Sequence, residues 1–276
     1  ARLMSCEMGK PVTEARAEVE KCAWLCEVYA ERSAEWLADT PMTADGLRHA
    51  VAYQPLGVIL SIMPWNYPLW QALRFGVPTL TAGNTSLLKH ASNVTGCGLA
   101  IAELYAEAGY PEGCFQTIVA DHAVVSGLIA HDDVRGLSLT GSVEAGRRVA
   151  ELAGRHLKKV VLELGGSDAF IVLEDADLEA AVRGAVTGRM LCTGQSCIAA
   201  KRFIVARQVA GEFTARFAAA MAQLPVGDPL DAATRVGAIV NEDEMQVLAD
   251  QVGDAVQKGA RLLTGGRRLD RPGCFF

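Results

Sequence analysis

Leu56-Gly57-Val58-Ile59-Leu60-Ser61-Ile62-Met63 runs straight into Pro64-Trp65-Asn66-Tyr67-Pro68, and this stretch decides the fold class. The apolar run is far shorter than the roughly 20 residues that span a bilayer. It does not alternate polar with apolar as a strand with one wet face would, so it reads as a strand buried on both sides. Downstream, the pattern predicts a helix over 69–82 with an irregularity at Pro78, a short strand at 86–89, and a helix over 95–108 stopped by Gly109. Further strands are expected at 115–119, 136–140 and 160–164, separated by helical stretches at 124–130 and 142–153. Continuous apolar strands alternating with amphipathic helices imply an α/β fold with a parallel sheet covered on both faces.

Upstream of the run, Ala15, Val19, Cys22, Cys26 and Tyr29 fall on one face of a helix whose other face is charged. After Gly165-Gly166 the pattern begins again, with a strand at 169–173, a helix over 178–191, a strand at 203–205 and a helix over 211–224. Two glycines after a strand permit a sharp change of direction. The domain boundary is therefore expected there, with residues 1–165 in one domain and 166–276 in the next. Ligand clefts form at such junctions. The end of the chain, Arg271-Pro272-Gly273-Cys274-Phe275-Phe276, shows no closing element and reads as cut off.

Composition narrows the function classes. Half of the 276 residues are apolar and 21% charged, an ordinary globular balance, and the net charge of −6 disfavours a sequence-independent grip on nucleic acid. No run is long enough for a membrane span, so no membrane partner is expected. The eight cysteines form no C-x-x-C pair and no cluster with zinc spacing, so no metal is expected. Reduced thiols in a cytoplasmic protein are the expected reading.

Four features carry chemistry. Cys197, in Gly194-Gln195-Ser196-Cys197, is a candidate nucleophile, since a loop thiol at a helix start is polarised by backbone N–H groups; the alternative is a small buried apolar residue. Cys192, at the end of an apolar helix, reads as packing. Glu163, at a glycine-walled strand end, can act as general base, or can simply pair with Lys158 or Lys159. Asn66, fixed between Pro64 and Pro68, can aim its amide at an oxyanion, although asparagine is also a common turn residue. Lys89 ends a short strand, and Gly141-Ser142 leads through Gly146 into a helix, a junction that can seat an anion. No G-x-G-x-x-G fingerprint occurs.

Together, Pro64-Trp65-Asn66, Gly83-Asn84 with Lys89, Gly141-Ser142 to Gly146, Glu163-Leu164-Gly165-Gly166 and Gly194-Gln195-Ser196-Cys197 resemble the aldehyde dehydrogenase superfamily in kind and in order. Leu88-Lys89-His90-Ala91-Ser92-Asn93, Glu163-Leu164-Gly165-Gly166-Ser167-Asp168 and Ala199-Ala200-Lys201-Arg202-Phe203 look like its succinate-semialdehyde dehydrogenases. The resemblance implies a Rossmann-like NAD(P)-binding domain over 1–165 and part of an α/β catalytic domain over 166–276. It implies that Cys197 attacks the aldehyde, that Asn66 and the Cys197 N–H hold the oxyanion, and that Glu163 activates water against the resulting thioester. Lys89 and Ser92 would meet the adenosine ribose or its 2′-phosphate, with Pro64, Trp65, Gly141, Ser142, Gly146 and Leu164 along the cofactor cleft and Arg74 on the substrate's distal carboxylate.

Ser92 stands where NAD-preferring relatives carry a glutamate that repels a 2′-phosphate, which favours NADP while keeping NAD acceptable. The resemblance also implies a small aldehyde as substrate and a homo-oligomer, dimer or tetramer, for the full-length protein. Family members run past this sequence at both ends, and their later Glu-x-Phe-Gly-Pro segment is absent, so a fragment is expected. Two rivals remain: an acylating relative, against which Glu163 argues, and a non-catalytic binding or structural protein on the same scaffold.

Overall fold

In the computed structural model, which describes residues 1–276, the chain opens with helices α1 (Arg2–Met8) and α2 (Val12–Trp36) and a short antiparallel pair, β1 (Thr40–Met42) and β2 (His49–Val51). The decisive run then becomes β3 (Val58–Met63). It starts two residues later than the apolar pattern does, because Leu56 and Gly57 donate their N–H groups to the Asn84 side chain instead of to a neighbouring strand. There follow α3 (Pro68–Thr81), β4 (Thr85–His90), α4 (Thr95–Glu107), β5 (Phe115–Ile118), α5 (His122–Ala130), β6 (Val134–Thr140), α6 (Val143–Arg155) and β7 (Lys159–Glu163). Each expected strand and helix of this region is present, with ends shifted by a few residues.

The five strands β3 to β7 form one sheet in the order β5-β4-β3-β6-β7, every pair parallel. Both faces are covered. On one, Met63, Leu88, Leu73, Val77, Ile101 and Phe115 pack together beneath α3 and α4; on the other, Leu60, Leu137, Val125, Ile129 and Ala153 pack beneath α5 and α6. Leu60 and Met63 point to opposite faces and both are buried, which is why the run is continuous and not alternating. Pro78 sits inside α3 without ending it.

After Gly165 come β8 (Ala169–Val172), α7 (Leu178–Met190), β9 (Arg202–Val205), α8 (Arg207–Ala222) and α9 (Glu242–Gln257). β8 and β9 pair in parallel, and Val172, Val182, Ala185 and Phe213 form their core with α7 and α8. The pattern reading places no element at α9. The local signal is there, however: Asn241 accepts the Glu244 N–H at 2.8 Å, and the first turn carries Glu242, Asp243 and Glu244.

The chain divides into two compact units, Ala17–Leu164 and Ala1–Arg16 with Gly165–Phe276. The first sixteen residues, expected in the first domain, thus belong with the second. Val12 donates to Pro229 at 2.7 Å, and Gly9 packs so closely on Ala238 that a Cβ there would lie 2.6 Å from the Ala238 carbonyl oxygen. Such pairing across more than two hundred residues leaves no trace in local periodicity. No helix is long and apolar enough to cross a membrane, and none of the eight cysteines is in a disulfide.

Candidate active site

In Ala17–Leu164, the first strand of the alternation, β3, has β4 on one side and β6 on the other, so the connections reverse direction between β3 and β6. In open parallel sheets the crevice outside the strand C-termini at such a switch is where ligands sit. Pro64, Trp65 and Asn66 follow β3, Lys89 lies near the end of β4, Gly141 and Ser142 follow β6, and Glu163 ends β7. Topology alone therefore brings these seven residues to one edge.

The loop carrying Asn66 is held by two residues that motif reading misses. α3 has Pro68 in its first turn and no side-chain cap from Tyr67, which leaves backbone donors to be satisfied. Glu18 of α2 accepts from the Leu69 and Trp70 N–H groups, both at 2.9 Å. His90, at the end of β4, accepts from the Ala91 N–H on Nδ1 at 3.0 Å, so its Nε2 donates to the Pro68 carbonyl at 2.8 Å. Both side chains are only 5% exposed, where hydrogen bonds are costly to lose. The signal for Glu18 is an uncapped helix start elsewhere in the chain, which needs a partner from somewhere.

Arg74 lies on α3, and its Nη2 is 4.0 Å from Glu163 Oε2. The side chains are 38% and 55% exposed, so the pair contributes about 0–1 kcal/mol to stability. Lys158 is turned away from Glu163 and donates to the His131 carbonyl. Glu163 is anchored through its backbone, whose carbonyl accepts the Gly141 N–H at 3.0 Å.

A cavity of about 470 Å³ is lined by Lys89, His122, Ser142 and Arg148, with Ile62 and Leu139 among its apolar residues. Ser142 caps α6, accepting the Ala145 N–H at 3.1 Å, so the helix start faces this space and suits an anion. Burial pushes the Lys89 ammonium below its ordinary pKa, and a negative charge beside it would offset that cost. Ser92 is exposed and lines a smaller adjoining pocket with Lys89. These features fit a phosphorylated dinucleotide. Pro64 and Trp65 are half-buried at the end of β3. Gly146 and Leu164 meet each other: a Cβ on Gly146 would lie 2.6 Å from Leu164 Cδ2, so a larger residue there has to displace the end of the Leu164 side chain.

The nucleophile loop belongs to the other unit. It leaves α7 through three successive left-handed residues, Cys192 (φ 58°), Thr193 (φ 56°) and Gly194 (φ 76°). For the two that are not glycine this costs on the order of 1–3 kcal/mol each and persists only when the surroundings enforce it. They do. Glu14 accepts the Cys192 N–H at 2.7 Å, Thr193 Oγ1 accepts the Gly237 N–H at 3.0 Å, and Gln195 Oε1 accepts the Val240 N–H at 3.0 Å. Arg189 donates to the Gly194 carbonyl at 3.2 Å, and a Cβ on Gly194 would lie 3.1 Å from that guanidinium.

Cys192 is fully buried, as expected, while Cys197 is partly exposed. The helix start expected at Cys197 is not present: the chain passes through turns to β9, since the local hydrogen bonds are turn bonds such as Ala199 to Ser196. The cation nearest in sequence is Lys201, whose Nζ donates to the Cys197 carbonyl at 2.7 Å.

One unit thus offers an amide, a carboxylate and a guanidinium beside an anion-suited cavity, and the other a thiol on an enforced loop. The model of the Aldehyde dehydrogenase family matches residues 1–276. A Synechocystis protein named "Probable succinate-semialdehyde dehydrogenase [NADP(+)]" is 51% identical over 276 residues, and the succinate-semialdehyde dehydrogenase [NADP(+)] 1 of Mycobacterium tuberculosis is 50% identical over 279. Each alignment covers 100% of this chain and 61% of the relative, so the chain spans about three fifths of their length. The crystal structure of succinic semialdehyde dehydrogenase from Streptococcus pyogenes, with NADP+ as cofactor, superposes with a TM-score of 0.97 at 37% identity, over 100% of this chain and 60% of that one. By sequence and by fold, the chain belongs to the aldehyde dehydrogenase family.

Proposed function

We propose that the protein oxidises a short aldehyde with a distal carboxylate, of the succinic semialdehyde type, to the acid with NADP+. The observation that supports this reading is Arg74 on the helix that follows Asn66, its guanidinium 4.0 Å from the Glu163 carboxylate at the end of the sheet, a cation available to a substrate's far end. A guanidinium fork pairs bidentately with carboxylate. The names of the relatives point to the same substrate and cofactor.

In this reading the Cys197 thiolate adds to the carbonyl carbon, and the oxygen takes up the charge. The Asn66 amide N–H and the Cys197 backbone N–H donate to that oxygen, a contribution of a few kcal/mol where the donors are preorganised. When bound, NADP+ would supply the acceptor for the hydride leaving the former carbonyl carbon, so that Cys197 would be left carrying a thioester. Glu163 takes a proton from water as its oxygen attacks the thioester; the C–S bond breaks and the acid departs. Lys89 and Ser142 hold the phosphorylated cofactor, and Ser92 leaves room for a 2′-phosphate. Homo-oligomerisation is part of the same reading.

The test is acid quench of the protein with NADP+ and succinate semialdehyde, followed by mass spectrometry of the Cys197 peptide. A succinyl adduct that forms only with oxidised cofactor supports the reading, and one that is absent, or sits on Cys192, overturns it.

A further inference from the structure

Lys21 projects from α2 onto α3, its Nζ 3.7 Å from the centroid of the Trp70 ring. No carboxylate pairs with it. Its nearest acidic neighbour by helical spacing, Glu18, is committed to the Leu69 and Trp70 N–H groups at the positive end of α3. Lys21 therefore keeps its charge uncompensated while the indole fixes its position. A cation on an aromatic face is held by the ring quadrupole, yet keeps donors for an anion on its outer side.

Trp70 and Arg74 are four residues apart on α3 and so share a face, about one turn from each other. Asn66 lies four residues before Trp70, just outside the helix start. The sequence Asn66, Trp70, Arg74 thus runs from the proposed reacting end to the proposed carboxylate end, with Lys21 docked on the middle residue. Arg74 also lies 4.0 Å from Glu163, so a second cation would add to the advantage of an arriving carboxylate over the one already there.

Resting on the reading above, we propose that Lys21, held on the Trp70 face, is a second cation for the distal carboxylate and contributes to the choice of carboxylate-bearing aldehydes over uncharged ones. Ligand and residue exchange no bonds; the effect is on binding alone. The effect of removing the charge must be separated from that of removing the side chain itself from above the indole.

The experiment measures, on the protein as it occurs, dissociation constants for succinate and for butyrate by calorimetry, and KM for succinate semialdehyde and butanal. The variants are Lys21→Met, which keeps an apolar stem, Lys21→Arg, which keeps the charge, and Arg74→Gln. Expected for Lys21→Met is a 3- to 10-fold loss, roughly an exposed to half-exposed ion pair, for succinate and its semialdehyde. Butyrate and butanal stay unchanged, and Lys21→Arg restores the wild-type values. Equal loss for both ligand classes, or no loss for either, overturns the inference. If Arg74→Gln abolishes the preference for succinate and Lys21→Met does not, this inference alone falls. If the wild-type protein shows no preference for succinate over butyrate, the substrate reading falls and takes this one with it.

Discussion

Arg74 and Glu163 face each other across 4.0 Å at the C-terminal edge of the parallel sheet, the first from α3 and the second from the end of β7. The residue proposed to receive a substrate's carboxylate is thus beside the residue proposed to activate water. A substrate carboxylate reaching Arg74 competes with Glu163 for the same guanidinium. Under the proposed reading, recognition of the distal group and readiness of the base would be coupled in this way, and only weakly, because both side chains are partly solvated.

Replacing Arg74 by Gln removes a charge-assisted interaction of about 1.5–3 kcal/mol. KM for succinate semialdehyde is expected to rise roughly 10- to 150-fold, while KM for butanal stays within about 2-fold of wild type. Steady-state kinetics with the two aldehydes checks this, and a parallel rise for both would remove Arg74 from the substrate site.

Glu163→Gln keeps the shape and loses the base. Turnover is expected to fall by about 10²–10⁴, with a burst of reduced cofactor of about one equivalent per site surviving because hydride leaves before water attacks. Stopped-flow absorbance resolves the burst; its loss along with turnover would place Glu163 before hydride transfer.

Glu14 and Arg189 hold the left-handed stretch ahead of Cys197. Glu14→Ala leaves the Cys192 N–H without its acceptor and is expected to cost about 1–3 kcal/mol in denaturant unfolding. Alkylation of Cys197 by iodoacetamide should slow at least several-fold. Unchanged labelling together with lowered stability would limit Glu14 to a structural role.

Ser92→Glu places a carboxylate beside the pocket shared with Lys89. Like charges brought together cost several kcal/mol, so NADP+ affinity should fall on the order of 100-fold or more while NAD+ affinity is kept or improved. Fluorescence titration with the two cofactors decides it.

Gly146→Ala drives a Cβ to within 2.6 Å of Leu164 Cδ2. Displacing the end of Leu164 costs up to about 1–3 kcal/mol, offset in part by the roughly 1 kcal/mol that Ala gains over Gly inside a helix, so Tm should fall by a few degrees at most. Leu164→Ala in the same chain is expected to relieve part of it, which a double-mutant cycle measures.

Local pattern was enough for much of this protein. The parallel α/β class follows from Val58–Met63 because a strand buried on both faces must be apolar at every step, and Leu60 and Met63 are seen on opposite faces. Strand C-termini gather the candidate residues because parallel strands share a direction, so Asn66, Lys89, Ser142 and Glu163 could be placed at one edge from the chain order alone. Element ends were less legible where side chains replaced backbone partners, as Asn84 does for Leu56 and Gly57.

Tertiary structure alone decided the rest. The return of Ala1–Arg16 to the second unit, the Glu18 and His90 clamps on α3, and the Glu14 hold on Cys192 each join residues far apart in sequence. Periodicity reports only what a residue does for its own helix or strand, through the 3.6- and 2-residue repeats of the backbone. Which buried carboxylate satisfies which distant N–H depends on how the elements close on one another, and no local repeat encodes that.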